Sequence, residues 1–372
     1  MRKFLINASN LHVGGGIQVA TSFLYEIGHF QRSMKDLSVL ASKEVDEALN
    51  SLDADTNIFI NYEVHDVYGS VLTSDKNHHQ LDLFDAVFTI FGPLYIWRTS
   101  FKSIVGFAQP WIIYPDNECY KMLPLIMRLK IRMKYLIQSM FFKRADILVV
   151  ELEHVKQQLV SVLKIPANRI HVVHNCISSI YSDPSIWKSV DVPRPDGYLR
   201  LGYLGRNYLH KNTRIFPQIV STLDRTYGIK AFFYVTFTEQ EWDECTPEFR
   251  EVCFNVGVLS VVQCPKFYQA MDAIVFPSLL ECFSATPLEA MAMERPIFVS
   301  DRPFNRDICG CHAHYFDPLS PDTAAAAIAN LFHDINSHLN ALRKGREYAI
   351  NYSNPKERAE KYLALLTDSM SI

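Results

Sequence analysis

Short apolar runs, each followed by turn residues and then a helical pattern, recur along the chain. Runs of this length are typical of buried strands, and their alternation with helices is typical of parallel α/β sheets. The strand candidates lie at 4–7, 86–90, 104–107, 147–150, 170–173, 199–205, 231–237, 254–258, 273–276 and 297–301. The helix candidates lie at 17–27, 212–226, 264–271, 287–293, 321–336, 338–350 and 355–369. The pattern restricts the chain to the α/β class.

The segment 183–197 separates two such series. It contains three prolines and ends on a glycine without hydrophobic periodicity, as a linker does. A length of 372 residues also favours two domains over a single core. We therefore predict a first Rossmann-like domain over 1–182, a linker over 183–197 and a second Rossmann-like domain over 198–352, with a cleft between the domains.

The composition excludes several classes of protein. The chain is 48% apolar and 21% charged, which is ordinary for a soluble globular protein, and its net charge of -3 gives no reason to expect a nucleic-acid partner. No apolar run reaches membrane-spanning length, and the start of the chain breaks off too soon for a signal peptide. The eight cysteines include no Cys-x-x-Cys pair, which favours free thiols in a cytosolic enzyme.

Two glutamates, Glu281 and Glu289, bracket the loop between the strand candidate 273–276 and the helix candidate 287–293. Open parallel sheets bind ligands at the carboxyl ends of their strands. One carboxylate can accept hydrogen bonds from two adjacent hydroxyls, so the pair suits a ligand with two sugar rings. An alternative remains for Glu289, because Thr286 and Glu289 have the spacing of a capping box that holds the helix start.

Cations and free amides accompany the glutamates. Arg206 and Lys211 follow the strand candidate 199–205, where a guanidinium fork and a mobile ammonium can neutralise a diphosphate. Solvated loop cations are the alternative. The amides of Phe283, Ser284 and Ala285 are predicted to line an anion-binding loop.

A glycine loop, Gly14 to Gly16, separates the first strand from the first helix. Its amides can also face an anion. No glycine follows Gly16 at the offset that the dinucleotide fingerprint requires, which disfavours a dinucleotide oxidoreductase.

Together these features resemble the family 4 glycosyltransferases, which have the two-Rossmann-domain architecture called GT-B. The resemblance is densest over 199–331. It is carried by Gly205-Arg206 with Lys211, by 268–278, by Glu281-x7-Glu289 and by 295–301. It implies that a final helix over 353–372 packs back on the first domain. It also implies retaining transfer from a nucleotide-diphosphate sugar to a glycan or lipid-linked glycan acceptor in surface-polysaccharide biosynthesis, of O-antigen or capsule. No cofactor and no metal are expected.

The resemblance also implies roles for single residues. Arg206 and Lys211 would hold the diphosphate, and Glu289 the ribose hydroxyls. Glu281, with the amides of 283–285, would hold the transferred sugar, so that Glu281, Arg206 and Lys211 are the catalytic candidates. Gly15 and Gly16 match the family's glycine loop, which closes over the donor phosphates and borders the acceptor.

Two positions depart from the family pattern. Cys282-Phe283-Ser284 stands where Gly-Phe-Gly is common, and side chains there restrict close backbone approach. Gln109 stands where a histidine is usual near the sugar. A glutamine can donate a hydrogen bond but carries no charge, so its expected role is sugar or acceptor contact; a plain loop residue before Pro110 is the alternative.

Asp53-Ala54-Asp55 imitates the Asp-x-Asp metal motif of the other glycosyltransferase architecture. No partner carboxylate or histidine cluster accompanies it in the sequence. We therefore predict no metal there.

The stretch 121–144 contains seven lysines or arginines and no acid. On a helix, its apolar residues share one face, namely Met122, Ile126, Leu129, Met133, Leu136, Ile137 and Met140. We expect this face to pack against the sheet of the first domain and the cations to reach an anionic membrane surface. The expected location is the cytoplasm, with a peripheral position on the inner face of the cytoplasmic membrane.

Other functions remain open at this point. A nucleotide-sugar epimerase or hydrolase of the same architecture would convert donor without acceptor. A non-catalytic sugar-nucleotide binding module would bind donor without turnover. The nucleotide base, the sugar, the acceptor and the linkage are not specified by these patterns.

Overall fold

The computed structural model describes residues 2–30, 34–68, 80–334 and 338–368. The chain divides into two compact units, Met1–Cys176 with Ser353–Ile372, and Ile177–Tyr352. Each unit contains one parallel sheet, and each is described by itself below.

The first unit has a seven-stranded sheet with the strand order β3-β2-β1-β4-β5-β6-β7. Its strands are β1 Phe4–Ala8, β2 Met34–Ala41, β3 Phe59–Val64, β4 Ala86–Thr89, β5 Lys102–Gly106, β6 Ile147–Val150 and β7 Ile170–Val172. Its helices up to residue 163 are α1 Gly15–Gly28, α2 Lys43–Asn50, α3 Pro110–Ile113, α4 Glu118–Lys121, α5 Leu125–Phe142 and α6 Glu153–Leu163. Central strands β1 and β4 are buried along their whole length, as the apolar runs predict.

The second unit has a six-stranded sheet with the order β10-β9-β8-β11-β12-β13. Its strands are β8 Leu199–Tyr203, β9 Ala231–Val235, β10 Cys253–Asn255, β11 Ala273–Phe276, β12 Ile297–Ser300 and β13 His314–Phe316. Its helices are α7 Phe216–Tyr227, α8 Glu239–Asp243, α9 Pro247–Val252, α10 Cys264–Ala270, α11 Thr286–Ala292, α12 Pro303–Cys309, α13 Pro321–His333 and α14 Leu339–Asn351.

The final helix, α15 Pro355–Asp368, belongs to the first unit. Tyr362 is buried between Phe23 of α1 and Phe88 of β4, with ring centroids 5.1 Å and 5.0 Å away. Arg358 is 1% exposed and donates hydrogen bonds to Asn175 Oδ1 and Ser22 Oγ. The prediction of two Rossmann-like parallel sheets, with the last helix packing on the first unit, is therefore confirmed.

Segment 183–197, which the sequence predicts as a linker, lies within the second unit. Lys188 N donates to Val262 O at 3.0 Å, and Tyr234 Oη donates to Pro193 O at 2.7 Å. Two hydrogen bonds therefore hold this segment to the rest of the second unit.

One packing expectation is wrong. Helix α5 contacts its unit through Gln138, Ser139, Phe141 and Phe142, which are its buried residues. The apolar stripe that was expected to face the sheet is instead exposed on the opposite side. Periodicity defines a helical face but does not determine which face packs, and here aromatic and small polar side chains make the contact. None of the described helices is sufficiently long and apolar to cross a membrane.

Candidate active site

The catalytic candidates of the second unit follow two adjacent strands. Strand β8 pairs with β11 through Leu201 with Ala273 and Gly202 with Ile274. The strand order reverses between these two strands, since β9 and β10 lie on one side and β12 and β13 on the other. Open α/β sheets bind ligands at such a switch point, beyond the carboxyl ends of the strands.

Gly205 shapes the loop after β8. Its φ of +154° is one that side chains rarely adopt, and a Cβ there would lie 3.0 Å from Tyr203 Oη. Its amide donates to Thr236 Oγ1 at 3.1 Å. A glycine is therefore required where the chain turns toward Arg206.

Lys211 and Glu281 form an ion pair, with Lys211 Nζ 2.6 Å from Glu281 Oε1. The two side chains are 17% and 9% exposed. The loops that carry them are joined directly, because Leu279 N donates to His210 O at 2.7 Å. Burial lowers the pKa of His210 to about 4, so that this histidine is neutral at neutral pH and leaves the loop's positive charge to Lys211. The structure thus brings two predicted catalytic residues into contact.

Arg206 has a different acidic partner. Its Nε donates to Glu241 Oε1 at 2.9 Å, and Asn207 N donates to the same oxygen at 3.1 Å. Glu241 also closes the capping box of α8 with Thr238. Burial acts to raise the pKa of Glu241, but hydrogen bonds from Thr238, Arg206 and Asn207 outweigh it and leave the pKa below its usual value. Sequence reasoning missed this glutamate, although the Thr-x-x-Glu spacing marks it.

Glu289 is buried between two tyrosines of the same unit. Tyr268 Oη donates to Glu289 Oε2 at 2.7 Å, and Tyr181 makes a second hydrogen bond to the carboxyl. Burial raises the pKa of Glu289, and the two hydrogen bonds oppose that rise. The capping-box alternative is wrong: the N-cap of α11 is Ala285, no side chain caps this helix, and Glu289 N donates to Ala285 O as in any helix.

The raised pKa of Glu289 predicts a pH-dependent effect of the substitution Glu289→Gln. A carboxyl whose folded-state pKa is raised contributes stability at low pH and loses it as the pH rises through that value. The glutamine variant does not lose this stability. The difference in unfolding free energy, variant minus wild type, should therefore increase from pH 4.5 to pH 8, by about 1.4 kcal/mol for each unit by which the pKa of Glu289 in the folded state exceeds that in the unfolded state. Urea unfolding at both pH values measures the change. A constant difference between the two proteins would contradict it, and the exposed Glu251→Gln provides the control.

The loop 283–285 carries half-buried residues between β11 and α11. Within the described ranges, no backbone carbonyl accepts a hydrogen bond from the amides of Phe283, Ser284 or Ala285. These amides are therefore available to an anion, as the sequence predicts. Cys282 is buried.

The remaining candidates lie in the first unit. Gly14 is the N-cap of α1 with a φ of +73°, and the helix itself begins at Gly15. A Cβ on Gly16 would lie 3.1 Å from Leu11 Cδ2, whereas one on Gly15 would meet nothing within 4 Å. Gln109 follows β5 and is the N-cap of α3, where its carbonyl accepts from Ile112 N at 3.1 Å.

The first unit contains a cluster of possible metal ligands, which does not include Asp53 or Asp55. His12, Glu44 and Asp66 place one ligand atom each within 4.8 Å of one another. His12 Nδ1 lies 2.9 Å from Glu44 Oε2, and its Nε2 lies 3.2 Å from Val67 O. The three residues are far apart along the chain, so no sequence motif predicts the cluster. Both ring nitrogens already face oxygen atoms, so the hydrogen bonds of His12 account for the geometry of the cluster.

Two parallel sheets in Rossmann order, with the ion pair of Lys211 and Glu281 at the switch point of the second sheet, are features of the GT-B class. Residues 199–334 match the family described as "Glycosyl transferases group 1". The matched residues lie within the second unit, and the match agrees with the resemblance to the family 4 glycosyltransferases, which is densest over the same stretch.

A curated relative and several solved structures agree with this class. The "O-antigen chain mannosyltransferase RfbU" of Salmonella typhimurium LT2 is 22% identical over 221 residues, which are 56% of this chain and 57% of that protein. The chain thus matches little more than half the length of this relative. Anabaena Alr3699/HepE, solved with UDP-glucose, has a TM-score of 0.71 at 12% identity and covers 99% of this chain and 100% of its own. WaaG, "a glycosyltransferase involved in lipopolysaccharide biosynthesis", has a TM-score of 0.68 at 11% identity over 98% and 99%. At these identities the two structures establish the fold.

Proposed function

We propose that this protein is a retaining glycosyltransferase that moves a sugar from a nucleotide-diphosphate sugar to a glycan or lipid-linked glycan in surface-polysaccharide biosynthesis. The observation that carries the proposal is the contact between Lys211 and Glu281 at the switch point of a group 1 glycosyltransferase domain. The printed names of RfbU and WaaG support a surface-polysaccharide acceptor, and the UDP-glucose of HepE supports a nucleotide-sugar donor.

The two cations can stabilise the leaving group. When the bond between the sugar and the diphosphate breaks, negative charge develops on the phosphate oxygen. An ammonium already fixed by Glu281 can stabilise that charge without reorganisation, and the guanidinium of Arg206 supplies further hydrogen-bond donors. The acceptor oxygen bonds to the anomeric carbon on the face from which the diphosphate departs, and a phosphate oxygen takes the acceptor's proton.

The two carboxylates can bind the sugar rings of the donor. An ionised carboxylate has about four acceptor positions, and Glu289 uses two of them for Tyr268 and Tyr181. The others can accept from the two adjacent ribose hydroxyls. Glu281 keeps acceptor positions beyond the one that Lys211 occupies, and these can bind hydroxyls of the transferred sugar. No step here requires a metal.

A panel of nucleotide diphosphates and their sugars, tested by thermal shift, identifies the donor without knowledge of the acceptor. A ligand at 100 times its dissociation constant stabilises the folded protein by about 2.7 kcal/mol. We expect one donor to stand out, and product analysis by NMR to show transfer with retained anomeric configuration only when an acceptor is present. Glu281→Ala should abolish transfer, and the exposed Glu251→Ala should retain it.

The rival functions have distinct outcomes in the same assay. Conversion of the donor without acceptor would instead assign a hydrolase or an epimerase. Tight donor binding without turnover in any donor–acceptor mixture would assign a non-catalytic binding module. An inverted product would overturn the retaining mechanism.

A further inference from the structure

Helix α5 presents an apolar stripe to solvent. The stripe consists of Leu125, Ile126, Leu129, Met133, Leu136, Ile137 and Met140, whose exposed fractions range from 39% to 75%. At 100° per residue these seven positions fall within about one third of the helix circumference. Among the residues that the structure describes, none covers this stripe. Large exposed apolar patches of this kind mark interaction sites.

The opposite face of α5 anchors the helix to the first unit. Phe142 packs edge-on against Phe107 with ring centroids 4.7 Å apart, and Tyr135 stacks on Trp111 at 5.8 Å. Gln138 Nε2 donates to Tyr95 Oη at 3.0 Å. The helix is therefore held in place without its apolar stripe, which is left for a partner.

Cations border the stripe on both sides. By helical angle, exposed Arg132 adjoins it on one side, and exposed Lys130 and Lys134 adjoin it on the other. No acidic residue occurs over 121–144. At the C-terminal end, the half-exposed Trp97 lies under Arg144, whose guanidinium carbon is 4.4 Å from the ring centroid. An apolar stripe with cationic borders is the pattern of helices that lie in the plane of a membrane interface.

We propose that α5 lies in the surface of an anionic lipid bilayer, with its apolar stripe inserted at the boundary of headgroups and acyl chains and its cations bound to lipid phosphates. Charge complementarity favours this occupant over a second copy of the chain. A symmetric contact of α5 with itself would bring the cations of one copy against those of the other. The inference deepens the partner side of the proposed function, but its test uses no sugar donor, so either can fail without the other.

Vesicle co-sedimentation tests this docking surface. The wild-type chain should bind vesicles of phosphatidylglycerol and phosphatidylcholine more tightly than vesicles of phosphatidylcholine alone. Leu129→Gln with Leu136→Gln should weaken binding to the anionic vesicles by tenfold or more, since both leucines would otherwise be buried in the interface. Lys130→Ala with Lys134→Ala should weaken it by about fivefold for each cation removed, and only on anionic vesicles.

The matched control changes two apolar residues outside α5. Leu83 and Val258 are 66% and 62% exposed, and Leu83→Gln with Val258→Gln should leave vesicle binding unchanged. Circular dichroism of all variants verifies their folding. Equal binding by the leucine variant and wild type would overturn the proposal, as would failure of the wild type to bind anionic vesicles. A wild-type dimer in light scattering that the leucine variant converts to a monomer would assign the stripe to a second copy instead.

Discussion

Replacing Lys211 by methionine is expected to lower kcat/KM for sugar transfer by about 10²–10³-fold, with most of the loss in kcat. Methionine approximates the length of lysine but removes the ammonium that lies 2.6 Å from Glu281. The expected size is that of losing one preorganised donor to a developing negative charge. Steady-state rates with the donor identified by thermal shift measure the effect, and the exposed Lys230→Met is the control.

The same substitution also leaves the carboxylate of Glu281, which is 9% exposed, without its cation. A loss of stability could therefore lower the rate for a trivial reason. The double variant Lys211→Met with Glu281→Gln separates the two effects, because it removes the uncompensated charge and should recover stability without recovering activity. Activity of the double variant close to that of wild type would show that neither residue takes part in transfer.

Replacing Arg358 by methionine is expected to lower the free energy of unfolding of the first unit by about 3–5 kcal/mol, because two buried hydrogen bonds from a charged donor are lost. Arg358 donates to Asn175, and Asn175 Nδ2 in turn donates to Glu151 Oε1 at 2.6 Å. Asn175 and Ser22 are buried, so the substitution leaves two buried acceptor oxygens without their charged donor. Urea unfolding followed by tryptophan fluorescence measures the loss.

Lys361→Met is the matched control for this network. Lys361 lies on the same helix but is exposed, and its substitution should change the free energy of unfolding by less than about 0.5 kcal/mol. Equal effects of the two substitutions would mean that the hydrogen bonds of Arg358 do not hold α15 in place. If Arg358→Met shifted only the unfolding transition of the second unit, the assignment of α15 to the first unit would be contradicted.

The predicted strands were largely correct because buried parallel strands are continuous apolar runs. Strands β6 and β11, for example, consist entirely of apolar residues and can be recognised from the sequence alone. Strand β3 was missed because it lies at the edge of its sheet and exposes most of its residues, so that it carries no such run. Strand β2 was missed because Lys35, Asp36 and Ser38 interrupt its apolar residues, and β13 was missed because its three residues, His314 to Phe316, include no aliphatic side chain. Edge position, interrupting polar residues and the lack of aliphatic side chains remove the apolar run on which this kind of prediction depends.

The site was predictable only in part, for a related reason. Lys211 and Glu281 could be placed at one sheet edge because each follows a predicted strand. The partners of Glu289 could not, since Tyr181 precedes the second sheet and Tyr268 lies on α10, and neither spacing indicates a contact. For α5, the periodicity predicts the apolar face correctly but not which face of the helix is buried. The buried face includes residues such as Gln138 that are not apolar.

The interrupted first unit has a consequence for biosynthesis on the ribosome. Residues 177–352 are synthesised after all seven strands of the first sheet and before the helix that supplies Tyr362 and Arg358 to the first unit. The second unit can therefore complete its core before α15 is synthesised, whereas the first unit cannot. Until then the surface that α15 covers exposes Phe23 and Phe88, an apolar site to which a nascent-chain chaperone can bind.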